Sequence, residues 1–463
     1  MRPGAVTPSV AHSVQGRMKP ALPLLLVLAA LLGAGPAAAL PLDEARHLLA
    51  RTGFAASPAE IEALSPLTRA QAIERVLGNT RTVASTRPPT WVDDRPGPRP
   101  TSEAERRARR QRWRAQAFEL MRWWLGEMIA TDSPVTERMV LFWHGHFTTS
   151  AQKVKASPLL YRQNVLLRRH ALGDFRTLLH AIARDPAMLL YLDGARNRRG
   201  KPNENFAREV IELFTLGEGN YTETDIKEAA RAFAGWSVQR SDRDFVERRR
   251  WRDQGPKEVL GLRGNLDGDA VLDALLAHPR TAQRIVEKLW RHFVSETPEA
   301  AIVTKLADDF RRDWQIRPLL AALLGTEAFW APAARGRLVK SPVVLVTGTL
   351  RQFTVPLPDD GRLRRLLRSL GQTPYLPPTV EGWPEGEGWI GSATALARDA
   401  ALQRFVRRTP FDAWLAALPP TWRRADRVAE LLCAIKPLAA PTEGPADAAL
   451  VGALLTDPTY QLQ

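Results

Sequence analysis

The 463-residue chain is 44% hydrophobic and 25% charged, a balance that excludes long disorder, collagen-like repeats and a multi-span membrane protein. Its 65 Lys and Arg against 50 Asp and Glu leave a formal charge of +15. Only 10 of the 65 are Lys, and Arg in such excess beside Ala, Leu and Pro fits a GC-rich genome better than a nucleic-acid surface.

In chain order, residues 21–33 come first as an unbroken apolar run, ALPLLLVLAALLG, after Arg17 and Lys19 and before Ala37-Ala38-Ala39. A basic start, a short apolar middle and an A-x-A exit predict a cleavable signal peptide over 1–39, with Met18 as the true start. The run is too short to span a bilayer, which takes about 20 residues. The mature chain is therefore expected to be exported, periplasmic or extracellular, with no transmembrane anchor after cleavage. A single cysteine, Cys433, suits that compartment and allows neither an internal disulfide nor a Cys-based zinc site.

After Leu40 helical periodicity dominates, which predicts an all-α fold. One large multi-helix domain is expected over 40–463, with Pro/Gly/Trp-rich loops and a division into two lobes, if any, near 262–269. Leu40–Arg51, Pro58–Leu64 and Leu67–Leu77 read as amphipathic helices, Thr86–Ser102 as a loop, and Glu103–Met128 as a long helix. The head of that helix, ERRARRQRWR, reads as a solvated face, since Glu103 and Glu105 interrupt its charge. Ser133-Pro134, Asp185-Pro186 and Ser341-Pro342 mark helix starts, and Thr222-x-x-Asp225 a capping box. Pro374–Gly391 is a second loop, rich in Pro, Gly and Trp.

The densest polar information lies between Trp143 and Lys257. His144 and His146 sit among large aromatics in FWHGHF. On a helix their rings diverge by about 200°, but a helix ending at Gly145 would let them converge. They read either as metal ligands, imidazole suiting zinc, iron or copper, or as histidines satisfied within aromatic packing. Further on, Asn205, Arg208, Glu209 and Glu212 fall at i, i+3, i+4 and i+7, one narrow polar stripe on an apolar helix. Two carboxylates at i and i+3 can present a metal or act as an acid/base pair. The other reading is a structural Arg–Glu network. The Gly217–Tyr221 turn matches no nucleotide-binding fingerprint, so no nucleotide cofactor is expected, and no G-x-S-x-G or H-E-x-x-H motif occurs.

LFWHGHFTTS (Leu141–Ser150), QNVLLRRHALGDFRTLL (Gln163–Leu179), DPAMLLYLDG (Asp185–Gly194) and KPNENFAREVIELFTLGEGNYTETDIKEAARAFAGW (Lys201–Trp236) resemble the domain-of-unknown-function 1800 family. So do VKSPVVLVTGTLR (Val339–Arg351), LGQTPYLPPTVEGWPEG (Leu370–Gly386) and WIGSATALAR (Trp389–Arg398). The resemblance implies a mostly helical exported bacterial protein without an established reaction. It also suggests a partner from the domain-of-unknown-function 1501 family, whose genes often neighbour it. The family pattern has His-Asp before its Gly-x-Lys, where this chain carries Arg252-Asp253 before Gly255-Pro256-Lys257.

Three functions compete at this level. The first is a hydrolytic or lytic enzyme acting on an envelope or extracellular polymer. In it Glu209, Glu212 and His146 are catalytic, a divalent metal such as zinc sits on His144, His146 and Glu209, and Lys201, Asn203, Asn205, Arg208, Trp236 and Lys257 hold substrate. The second is a non-catalytic binding or assembly protein that uses Trp236, Trp383 and Trp389 to stack on sugars or a partner. The third, nucleic-acid binding, rests on charge alone and ranks last.

Overall fold

The computed structural model describes residues 39–463 except 96, 98, 99, 359, 360, 441 and 442. The stretch read as a signal peptide lies outside them apart from Ala39. Several helices begin where cap chemistry places them. α1 (Leu42–Thr52) is followed by α2 (Pro58–Leu64), α3 (Arg69–Gly78) and α4 (Glu103–Ala130). The last three open on complete capping boxes, Ser57 with Glu60, Thr68 with Gln71 and Ser102 with Glu105. Each box satisfies two backbone N–H groups that the first turn would otherwise leave unpaired. Thr222 and Asp225 form another, and Asp185 and Ser341 cap the helices that start at Pro186 and Pro342. Ser133 differs: it makes no cap bond to α5 (Pro134–His146), and its hydroxyl donates to the Asn79 carbonyl instead.

The fold is all-α apart from two small antiparallel ribbons. β1 (Trp236–Val238) pairs with β2 (Phe245–Glu247), and β3 (Lys257–Val259) with β4 (Leu262–Gly264). Strands of three residues carry too little alternation to stand out in a sequence. Leu40–Gln463 forms one compact unit. The helix Gly268–Ala277 packs on Phe175–Ala183 and on Glu223–Ala232, so elements on both sides of the 262–269 turn share one core. Among the described residues no helix is long and apolar enough to cross a membrane.

α5 lies at the centre, buried on every side except at Gly145 and the Pro134 start. A helix buried all round must settle its polar side chains internally. Glu137 does so by a two-pronged ion pair with Arg168 (2.6 and 2.9 Å) and by accepting the Trp124 indole N–H at 2.8 Å. Arg138, one residue on, has no carboxylate partner among the described residues. It donates to the Gly53 carbonyl, just past the end of α1, at 3.2 Å.

The same solution recurs across the core. Arg51, fully buried, donates to the Phe293 and Val294 carbonyls at 3.1 and 3.2 Å and to that of Ala334. Burial and the neighbouring Arg138 hold its pKa down at about 9, so it stays charged at neutral pH. All three acceptors close helical turns, where carbonyls lack intrahelical partners and the helix dipole is negative. Replacing Arg51 by Met takes this donor from the buried Phe293 and Val294 carbonyls, while that of Ala334 keeps the Arg337 N–H at 3.4 Å. Urea unfolding should show a loss of about 3 kcal/mol or more at unchanged slope. A loss under about 1 kcal/mol would show that the guanidinium is not what satisfies them.

Candidate functional site

The two histidines occupy the last turn of α5, which continues through Gly145 and ends at His146. Their rings therefore diverge, as two helical steps of about 100° require, and the convergence that an early helix end would have allowed does not occur. His144 turns to Trp124, Tyr375 and Trp383, with ring centroids 4.9–5.3 Å away, and its Nε2 accepts the Tyr375 backbone N–H at 3.1 Å. Burial holds its pKa down to about 3. His146 turns the other way. Its Nδ1 faces the Lys288 ammonium at 3.3 Å and its Nε2 the Phe214 carbonyl at 3.2 Å. Lys288 can only donate, so this network assigns the proton to Nε2. Burial, Lys288 and Arg284 keep the ring neutral well below the usual histidine range. His146 is thus a fixed neutral strut, and its proton-carrying role is not what the geometry builds.

The acidic stripe also divides. The helix Glu204–Ile211 passes into a π turn over Glu212–Leu216, closed by the Gly217 N–H donating to the Glu212 carbonyl at 2.8 Å. Such wide turns free carbonyls for outside donors and recur at functional sites. Here the Phe214 carbonyl accepts from His146 and that of Leu213 from Arg284 at 3.4 Å. Gly217 has φ +77°, and a Cβ there would lie 2.6 Å from the Arg284 guanidinium. The Glu212 carboxylate accepts the Tyr221 hydroxyl. Glu209 is only 9% exposed, and among the described residues its carboxylate has neither a hydrogen bond nor an ion pair. Burial and then the Glu212 charge raise its pKa, Arg208 opposes, and Glu381 adds to the rise.

Glu381 comes from the Pro374–Gly391 loop, which presses on the end of α5. Gly382 has φ +101°, and a Cβ there would meet the Gly145 carbonyl at 2.8 Å. The loop also brings Glu385 near Lys288, whose pKa burial holds down at about 8 while both loop carboxylates oppose. The structure thus gathers Glu209, Glu212 and His146 into one neighbourhood with Tyr221, Glu381 and Lys288. Sequence reasoning missed the last three. Lys288 carried a usable signal: it stands three residues after buried Ile285, on the edge of the apolar stripe of the helix Pro279–Phe293.

The other expected site residues do structural work elsewhere. Asn203 caps the helix Glu204–Ile211 through Asn205 N–H, and the Asn205 side chain donates to the Leu192 carbonyl. Arg208 forms a two-pronged pair with Glu223 at 2.7 and 2.8 Å. Lys201 is exposed beside the Arg198 bridge. Trp236 is core, packed against Phe206, Phe233 and Phe245. Buried Lys257 donates to the Asp253 and Gly255 carbonyls. Arg252, standing where the family pattern has His, pairs with Glu247 and Asp267. Among the described residues no three His, Cys, Asp or Glu side chains gather to hold a metal. The set His144, His146 and Glu209 is therefore not assembled, because the two imidazoles face apart and each has a nitrogen committed to its own partner.

A family model described as a protein of unknown function (DUF1800) matches residues 47–462, nearly the whole chain. No curated protein and no solved structure matches it.

The buried imidazoles tie stability to pH. An unfolded chain protonates histidine near pH 6.5, whereas folded His144 refuses the proton down to about 3. Its contribution is full above pH 6.5 and falls as pH drops, by about 1.4 kcal/mol per unit. Asp185, whose pKa burial pushes up to about 7, and Glu209 act in the opposite sense, so the variant isolates the effect. Between pH 7 and 5.5, His144→Phe should lose about 1 kcal/mol less than the parent in urea unfolding. Equal losses would show that His144 titrates normally.

Proposed function

The chain belongs to the DUF1800 family, and from that premise we propose that it is an exported hydrolase that cleaves an envelope or extracellular polymer with Glu209 and Glu212 as its acid–base pair. The observation that carries this reading is the state of Glu209, a nine-tenths buried residue whose carboxylate has no hydrogen bond or ion pair among the described residues, one turn from a second carboxylate. A carboxyl whose pKa burial raises is suited to deliver a proton to a leaving group, and a neighbouring carboxyl can take one from water. Glu212, oriented by the Tyr221 hydroxyl, is that neighbour.

In the reaction Glu212 takes a proton from water as the water oxygen bonds to the electrophilic atom. The scissile bond breaks with its electron pair on the leaving atom, which receives the Glu209 proton. The proton left on Glu212 returns to Glu209 through solvent, so one water is consumed. Lys288 faces the loop carboxylates Glu385 and Glu381, the second of which also acts on Glu209. Trp383, half-buried over His144, offers the stacking face that a sugar ring or an apolar group needs. Trp236 and Trp389 are buried and offer none, which favours the hydrolase over a binding protein built on loop tryptophans.

Glu209→Gln keeps the shape and removes the proton. On dye-labelled peptidoglycan, chitin and xylan, release of soluble dye by the purified mature chain should fall 10²- to 10⁴-fold, as loss of a general acid requires. The folded baseline should be unchanged in circular dichroism. Equal release by the variant, or no release from any of the three by the parent chain, overturns the assignment.

A further inference from the structure

The basic head of α4 does not stand alone in solvent. It forms one wall of a groove of about 610 Å³, within the size range of small-molecule sites. The helix Arg362–Leu370 forms the opposite wall, and the Ala151–Ser157 and Thr373–Leu376 segments close the ends. Five cations line it: Arg110, Arg114, Lys155, Arg364 and Arg368. No Asp or Glu is among its lining residues. Arg110 pairs with Glu103 at 2.6 Å, whereas the other four have no carboxylate partner among the described residues.

Between the cations the surface is apolar. Trp113, Ala117, Phe118, Met121 and Leu376 face the same space, and Arg364 lies over the Phe118 ring at 5.7 Å. Lys155 sits at φ +52°, a backbone conformation that a lysine adopts only at some cost, and its side chain joins the rim. Like charges that share a groove with low-dielectric walls repel one another and focus a positive potential outward. An anion relieves that repulsion. A plain polyanion would leave the apolar walls wet. We propose that the groove binds a single-chain anionic amphiphile, its carboxylate, sulfate or phosphate head among Arg114, Lys155, Arg364 and Arg368 and its chain along Trp113, Phe118 and Leu376.

This site shares no residue with the Glu209–Glu212 pair and stands or falls separately from it. Calorimetric titration of the mature protein with decanoate, far below its micelle concentration, should show saturable binding of one molecule. Decan-1-ol, with the same chain and no charge, should bind at least tenfold more weakly. The double variant Arg114→Ala/Arg368→Ala removes two exposed cations that hold no ion pair, and it should weaken decanoate at least tenfold with the thermal midpoint kept. Leu376→Glu, which sets a like charge on the chain wall, should do the same. Absence of saturable binding, or affinity unchanged in both variants, overturns the proposal.

Discussion

Buried cations that close helix ends hold this molecule together. Arg46, Arg51, Arg138 and Arg398 are buried and Lys340 is half-buried, and among the described residues none has a carboxylate within ion-pair reach. Each donates to backbone carbonyls far along the chain: Arg46 to Ala434, Arg51 to Phe293 and Val294, Arg138 to Gly53, Lys340 to Tyr460, Arg398 to Lys340. Most of these carbonyls end a helical turn and would otherwise be orphans in a dry interior. One guanidinium serves several at once because its donors form a rigid fork. The arrangement couples α1 to the helix Pro279–Phe293 and to the Pro332–Ala334 turn through a single side chain, Arg51. It also explains how a strongly basic chain folds without matching each interior cation to an acid.

Much of the local structure was legible because its causes are local. The starts of α2, α3 and α4 follow from a Ser or Thr three residues ahead of Glu or Gln, and both partners lie within one turn. The polar stripe from Asn205 to Glu212 was legible as a stripe. What each member does was not, because the deciding partners are remote or depend on a change of helix type. Arg208 is taken by Glu223, and the π turn begins at Glu212 itself, where no residue marks it. His146 is settled by Lys288, 142 residues away, and His144 by the Tyr375 backbone, 231 residues away. No spacing rule reaches that far. The divergence of the two imidazoles, in contrast, followed from helical geometry once α5 was known to run through Gly145.

The acidic neighbourhood owes its properties to the same economy of cations. Arg208 acts on Glu209, Arg284 on Glu212 and Lys288 on Glu381, and each of these cations is committed. Arg208 faces Glu223, Arg284 reaches the Leu213 carbonyl, and Lys288 donates to His146. The carboxyl is left with burial and with two acidic neighbours, Glu212 and Glu381, and all three push toward the protonated form. In a chain with 65 basic residues against 50 acidic ones, a mostly buried glutamate with no ion pair among the described residues is the outcome that counting charges would least suggest. It arises because hydrogen-bond direction, rather than net charge, decides where each cation goes. His146 matters here although it moves no proton. As a neutral acceptor it holds the Lys288 ammonium at the end of α5, beside the loop that carries Glu381 and Glu385.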